Sequence, residues 1–404
     1  MRILLVADGR SPITLRWLDS LRALDYRVSL ISSFPCNPPE GMVDFFYLPV
    51  AFSGWAGALP RRAAGHASPA RPPGIKRRLV STFRAALLAV RYRLAPLDLP
   101  ARRYRALLER VQPDLVHALR IPFEGMLAAA TPPEFPLALS IWGNDLTLHA
   151  AQSHAMARLT RAALTRADGL HVDALRDLNL AYAWGFPASR PSLVIPTNGG
   201  IDLRRMQSER QPLPAELESR IPPGLPLVIN PRGVRAYTCT AAFFQSIPLI
   251  LERRPQVAFV CPGMAGEREA ETWQQRLRLD QRVTLLPALP QGQLWSLFAR
   301  SQVSVSLTTH DGTPNTLLEA MACGSFPVAG DLESLREWIT PGVNGLLVEA
   351  GEPQAVAAAV LDALDQPDLR SRAATFNLRL VEERAEVARV RPRLDTFYRQ
   401  LIRV

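Results

Sequence analysis

The chain has 404 residues, 48% of them hydrophobic and 21% charged, and a formal net charge of +10. That apolar content in that length is enough for two domain cores and excludes a mainly disordered chain. Lys76 is the only lysine, in the context Gly-Ile-Lys-Arg-Arg. This excludes a Walker A loop and leaves a pyridoxal phosphate enzyme or a lysine-nucleophile aldolase no suitable amine.

In chain order, Ile3–Ala7 is a continuous apolar run that reads as a first strand, too short for a signal peptide. A helix over Thr14–Leu24 and a strand over Arg27–Ile31 follow. Further strands are predicted at Phe45–Val50, Leu115–Ala118, Leu137–Ile141, Gly169–Val172 and Ser192–Ile195. The Ala-, Gly- and Pro-rich stretch Ala51–Pro73 reads as a loop over a binding cleft. Lys76–Leu94 has helical spacing, with an apolar stripe and Arg77, Arg84 and Arg91 repeating every seventh residue.

Gln207–Pro226, rich in Pro and Glu, reads as a linker. A second alternation then has strands at Leu227–Asn230, Val257–Cys261, Val283–Leu286, Val303–Leu307 and Phe326–Ala329. Its helices include Thr240–Glu252, Gln293–Ser301, Thr316–Cys323 and Gln354–Leu364. Leu378–Arg389 and Pro392–Leu401 close the chain, and the stripe Leu394, Phe397, Leu401 is expected to pack back on the first domain. Strand–helix alternation in both halves predicts two α/β, doubly wound, Rossmann-like domains that face a cleft. Residues 1–205 with 390–404 form the first domain, and 206–389 the second.

The charge is unevenly spread. Residues 60–110 hold thirteen basic side chains against Asp98 and Glu109, a net +11, so the remainder carries −1. Two readings stay open: a solvated surface helix, or attachment to an anionic membrane. Nucleic acid is not expected, since only Phe83, Tyr92 and Tyr104 are there for stacking and no recognition motif is present. Cys36, Cys239, Cys261 and Cys323 are widely spaced, and three of them sit in apolar or small-residue contexts, which predicts reduced, buried thiols in a cytoplasmic protein. No stretch approaches a membrane span.

The chemistry concentrates in His310-Asp311-Gly312-Thr313-Pro314-Asn315-Thr316-Leu317-Leu318-Glu319-Ala320-Met321-Ala322-Cys323-Gly324, between a strand and a helix. Backbone N–H groups at such a helix start, with the helix dipole, favour an anion. Asp311 before the start and Glu319 one turn inside it suit a sugar–diphosphate–ribose ligand, one carboxylate for the hydroxyls at each end. This segment resembles the retaining, GT-B-fold glycosyltransferases of family 4, whose signature is an acidic residue, seven residues, and Glu in Leu-Glu-Ala-Met-Ala-Cys-Gly. Weaker support comes from Pro113–His117, Ile195–Asp202, Phe326–Asp331 and Gly342–Val348.

The resemblance implies a sugar transferred from a nucleotide-diphosphate donor such as a UDP-sugar, with retention of configuration. The acceptor would be a glycan, a lipid-linked sugar or a small molecule, bound by the first domain, with the donor on the second. Glu319 would hold the ribose. Asp311, usually Glu in the family, would hold the transferred sugar, and Asn315, Thr316 and Leu317 would offer backbone N–H groups. Arg232 matches a diphosphate-binding arginine. Tyr237 stands where the family has a lysine, making Arg235 the replacement. Gly9 and Gly263 match loops near the diphosphate and the nucleotide, with a packing role open for Gly263.

Trp142 occupies the position of a histidine that faces the reacting sugar in many relatives. Asp145 is then a candidate for acceptor binding or proton acceptance, or caps a helix starting at Leu146. His117 ends a strand as a sugar-site candidate or a structural residue. No Asp-x-Asp or histidine cluster is present, so the resemblance implies a reaction without metal or cofactor. The departures at Trp142 and Tyr237 leave a second reading open, a binding or scaffold protein on the same fold with little or no turnover.

Overall fold

A computed structural model describes residues 1–51, 53, 90–94, 96–196 and 199–402. The chain divides into two compact units, Met1–Gly199 with Ala388–Val404, and Gly200–Val387. The expected loop Ala51–Pro73 and helix Lys76–Leu94 lie outside the described residues, apart from Ala51, Ser53 and residues 90–94.

The first unit carries seven parallel strands: β1 (Arg2–Ala7), β2 (Arg27–Ser32), β3 (Asp44–Tyr47), β4 (Leu115–Leu119), β5 (Leu137–Ile141), β6 (Gly169–Val172) and β7 (Ser192–Val194). Their order is β3-β2-β1-β4-β5-β6-β7, so the winding reverses between β1 and β4. β1, β4, β5 and β6 are almost wholly buried, as strands covered by helices on both faces must be. The helix Pro12–Arg22 starts at Ser11, whose hydroxyl accepts from the Ile13 N–H at 3.3 Å.

The last helix, Val387–Ile402, packs Val390, Leu394, Phe397, Tyr398 and Leu401 on the first unit's core with Ile3, Leu5 and Trp17. The stripe read from sequence is the buried face.

The second unit has six parallel strands: β8 (Leu227–Ile229), β9 (Ala258–Pro262), β10 (Val283–Leu286), β11 (Val303–Ser306), β12 (Phe326–Gly330) and β13 (Leu346–Val348). The order β10-β9-β8-β11-β12-β13 is that of a dinucleotide-binding fold, with its reversal between β8 and β11. β13 was not expected: three residues pairing along β12 are too few to show a period in sequence. The expected linker takes in the end of a helical turn at Leu203–Ser208 and the whole of another at Ala215–Glu218. The thiol expectation needs correcting. All four cysteines are free, but only Cys261 is buried, because the other three sit in loops or at helix ends rather than inside a strand.

Candidate functional site

Ligands of doubly wound folds bind beyond the carboxyl ends of the strands, where the winding reverses. In the second unit that point lies between the loop after β8, which holds Arg232 and Arg235, and the loop after β11, which holds Asp311. The two loops are zipped together. Cys239 N–H donates to Leu307 O and Thr309 N–H to Tyr237 O, both at 3.0 Å. Ser334 Oγ donates to the Asp311 carbonyl at 2.8 Å, and Trp338 Nε1 to Thr313 Oγ1 at 3.2 Å.

The helix Asn315–Ala322 follows. Leu317, Leu318, Ala320 and Met321 are buried, which sets its face. Its C-terminal end is closed by Gly324 at φ +85°: Gly324 N–H donates to Met321 O and Ser325 N–H to Ala320 O. The start is Pro314, which brings no side-chain cap. Leu317 N–H already donates to Pro314 O at 3.0 Å. The sequence reading gave three backbone donors; the turn consumes that of Leu317 and leaves those of Asn315 and Thr316.

Arg232 and Asp311 meet directly. The guanidinium donates to the Asp311 carboxylate and, at 3.1 Å, to Thr316 Oγ1, while Arg232 N–H binds Asn230 Oδ1 at 3.1 Å. Their side chains are 11% and 18% exposed, so the pair is largely sheltered from screening. Glu319 is buried inside the helix and accepts from Gln291 Nε2 at 2.8 Å. Gln291 was missed in sequence because the helix begins there, at Gln291–Arg300, two residues earlier than its apolar spacing suggests.

Arg235 is exposed, and its Nη1 donates to Tyr237 Oη at 2.9 Å. Tyr237 therefore anchors the neighbouring guanidinium rather than leaving a gap. Gly263 has φ +77°, and a Cβ there would meet nothing within 4 Å. A packing role is thereby removed, and backbone conformation alone favours glycine.

In the first unit the structure shows where three candidate residues are held. His117 is fully buried, with Nδ1 2.6 Å from Tyr398 Oη and Nε2 2.9 Å from Ser140 Oγ. Ser140 Oγ also lies 2.9 Å from His171 Nδ1, and His171 Nε2 is 3.2 Å from Ile195 O. Since Ile195 O can only accept, His171 Nε2 donates, and the order propagates. Ser140 donates to His171, His117 Nε2 donates to Ser140, and Tyr398 donates to His117 while accepting from Trp17 Nε1 at 2.9 Å. Both rings are satisfied as neutral imidazoles. Burial holds His117 well below the usual histidine range and His171 down at about 4. His117 thus spends both ring nitrogens inside the core.

Asp145 is also wholly buried. It accepts from Arg120 Nε at 3.0 Å and from the N–H groups of Ile121 and Trp142 at 3.1 Å. It does not cap the helical turn Asp145–His149, whose preceding residue is Asn144. It ties the loop after β4 to the loop after β5. Burial lifts its carboxyl above the usual range, although Arg120 and the two N–H groups pull it down. In this structure the carboxylate is occupied in holding the two loops together.

Gly9, finally, already donates its N–H to Ser32 Oγ at 3.1 Å, and a Cβ there would fall 2.6 Å from Cys36 Sγ. Close packing requires this glycine. Trp142 is partly buried, with an indole N–H that finds no acceptor among the described residues; the Arg120 guanidinium lies 5.3 Å from its ring centroid.

Residues 236–366 match the family model of glycosyl transferases group 1, and residues 85–174 that of a glycosyl transferase 4-like domain. A D-inositol 3-phosphate glycosyltransferase of Thermobispora bispora is 31% identical over 107 residues, 26% of this chain and 24% of that protein. One from Corynebacterium urealyticum is 28% identical over 140 residues, 33% of each. The matched part thus spans a quarter to a third of these relatives. Over 99% of both chains the fold is similar to a sucrose-phosphate synthase of Thermosynechococcus elongatus, with TM-score 0.73 and 16% identity. It is similar over 98% of both to Anabaena Alr3699/HepE in complex with UDP and glucose, with TM-score 0.67 and 17% identity. With one family model in each unit and a two-domain GT-B fold, the chain belongs to the group 1, family-4-like glycosyltransferases.

Proposed function

We propose that the protein transfers a hexose from a UDP-type sugar nucleotide to an acceptor, with retention of configuration. The observation that carries this reading is the meeting of Arg232, Asp311 and Thr316 at an uncapped helix start, with Glu319 buried one turn away on Gln291. The diphosphate would lie against the Asn315 and Thr316 N–H groups, where the helix dipole favours negative charge. Arg232, and Arg235 held by Tyr237, would neutralise the leaving phosphates. Glu319 would take the ribose hydroxyls and Asp311 those of the sugar. In this reading arginine and helix dipole, rather than a metal ion, meet the developing charge. The attacking hydroxyl approaches from the leaving-group face, and the departing phosphate accepts its proton.

The test is incubation with a panel of UDP-hexoses, read by product mass and by the anomeric configuration of the product. Release of UDP with a new α-linkage from an α-linked donor supports the reading; an inverted product contradicts retention. A second reading is a binding protein with little turnover, favoured by Trp142 in the usual histidine position and by the enclosure of Asp145. UDP binding without hydrolysis or transfer across the panel would establish it.

We further place the protein at the cytoplasmic face of a membrane, acting on a lipid-linked or envelope glycan. Arg93, Arg102, Arg103, Arg105 and Arg110 are exposed, as are Val90, Leu94 and Leu99, and each such charge adds up to about 1 kcal/mol on an anionic surface. No helix among the described residues is long and apolar enough to cross a membrane, so attachment would be peripheral. Co-sedimentation with vesicles containing phosphatidylglycerol but not with neutral vesicles is expected; equal, negligible binding to both contradicts it.

A further inference from the structure

The first sheet reverses its winding between β1 and β4, and three guanidiniums gather beyond that point. Arg10 follows β1 and Arg120 follows β4. Arg91 comes from the segment described at residues 90–94. Arg10 and Arg91 both lie over the Phe34 ring, 4.0 and 5.6 Å from its centroid, and Arg91 also lies 4.1 Å from the centroid of Phe123.

The nearby carboxylates are hydrogen-bonded elsewhere, and Glu124 and Asp8 reach Arg91 only as charges through space. Asp8 takes Arg10 Nε and Nη2, each at 3.0 Å, and Asp145 takes Arg120 Nε. Glu124 accepts from Ser33 Oγ and from Phe123 N–H. Arg91 is only 9% exposed, yet among the described residues no hydrogen bond or ion pair reaches its guanidinium, and its Nε is buried and unpaired. Buried charges are ordinarily paired. An arginine held over the Phe123 ring and near that of Phe34, with its edge unused among the described residues, is shaped to receive a planar or tetrahedral oxyanion. Both Nη groups of Arg120 and Nη1 of Arg10 are also unused among the described residues.

We propose that Arg91, flanked by Arg10 and Arg120 beyond β1 and β4, forms an oxyanion site for the phosphate or carboxylate of an acidic acceptor. Assigning the anion to the acceptor rests on the glycosyltransferase reading; the site itself does not. Recognition then resides in a guanidinium fork rather than in sugar hydroxyls alone, so a neutral acceptor would be a poor substrate.

The experiment is calorimetric titration of the UDP-saturated protein with inorganic phosphate and, separately, with glucuronate, on the parent chain, Arg91→Met and Arg10→Met. Arg91→Met should weaken the preferred anion at least tenfold and leave UDP affinity unchanged. Its melting temperature should change little, because no hydrogen bond among the described residues is lost. Arg10→Met should weaken the anion several-fold, and it decides the matter if Arg91→Met does not fold. The stronger of the two titrations identifies phosphate or carboxylate. Failure of the parent protein to bind either anion, or unchanged binding in the variants, overturns the site. Anion binding through Arg91 in a protein that does not bind UDP would instead overturn the donor reading and leave the site standing.

Discussion

The guanidinium of Arg232 donates to the carboxylate of Asp311, joining the loop after β8 to the loop after β11 where the winding of the second sheet reverses. The pair sets two residues with separate tasks in the proposed reaction, phosphate and sugar binding, against each other before any ligand arrives. Thr316 Oγ1 takes a second guanidinium hydrogen bond, so the arginine is oriented toward the helix start.

Separate substitutions should divide those tasks. Arg232→Met is expected to weaken UDP binding about tenfold or more, roughly 1.4 kcal/mol or above. Asp311→Asn should leave UDP affinity within about threefold while lowering kcat. Calorimetry for UDP and steady-state kinetics for the UDP-sugar check both. Equal losses of UDP affinity would show that the pair acts only as one structural unit.

Tyr237 gives a sharper case, because its hydroxyl is the group that Arg235 donates to. Tyr237→Phe should release Arg235 and lower kcat/KM for the donor about two- to tenfold, with the melting temperature unchanged at this half-exposed position. Arg235→Ala should be at least as severe. Unchanged turnover in Arg235→Ala, with Arg232→Ala inactive, would remove Arg235 from diphosphate stabilisation.

Asp145 should behave as a positioning residue. Asp145→Ala leaves Arg120 and two backbone N–H groups without their acceptor, a loss of about 3–5 kcal/mol for a broken buried pair. Urea unfolding should show it, and Asp145→Asn should retain a larger share of the stability. A stable Asp145→Ala protein with abolished turnover would restore the catalytic reading and contradict the enclosure seen here.

The neutral histidine chain predicts a pH dependence. Both imidazoles have folded-state pKa values below the unfolded value of about 6.5, so the unfolded chain binds more protons as pH falls. Their stabilisation is complete above about pH 6.5 and is lost progressively as pH drops below it, by roughly 3 kcal/mol for His171 on reaching about pH 4. The melting temperature should therefore fall between pH 6.5 and 4, and less steeply in His171→Asn. A flat profile in the parent protein would contradict the neutral assignment.

Much of the fold was legible because buried parallel strands are continuous apolar runs: Leu137–Ile141, Gly169–Val172 and Val283–Leu286 have the same limits in sequence and structure. β13 was not, since its three residues are held by pairing with β12 rather than by a pattern of their own. The Asp311–Glu319 segment was legible because one strand–loop–helix unit holds most of the chemistry within consecutive residues. Gln291, the anchoring of Arg235 by Tyr237, and the enclosure of Asp145 were not. Each depends on side chains brought together by sheet order, which spacing along the chain does not encode. His117 shows the same limit: its partner Tyr398 lies 281 residues away.

The central claim is that Arg232, Asp311, Thr316 and Glu319 form a sugar-nucleotide donor site. Its most direct test is calorimetric titration of UDP into the parent protein and Glu319→Ala, beside uracil-matched 2′,3′-dideoxy-UDP. The account predicts saturable UDP binding to the parent. Affinity should be weakened at least tenfold either by removing the Glu319 carboxylate or by removing the ribose hydroxyls, with little further loss when both are removed together. No UDP binding by the parent protein, or full affinity retained in Glu319→Ala, would contradict it.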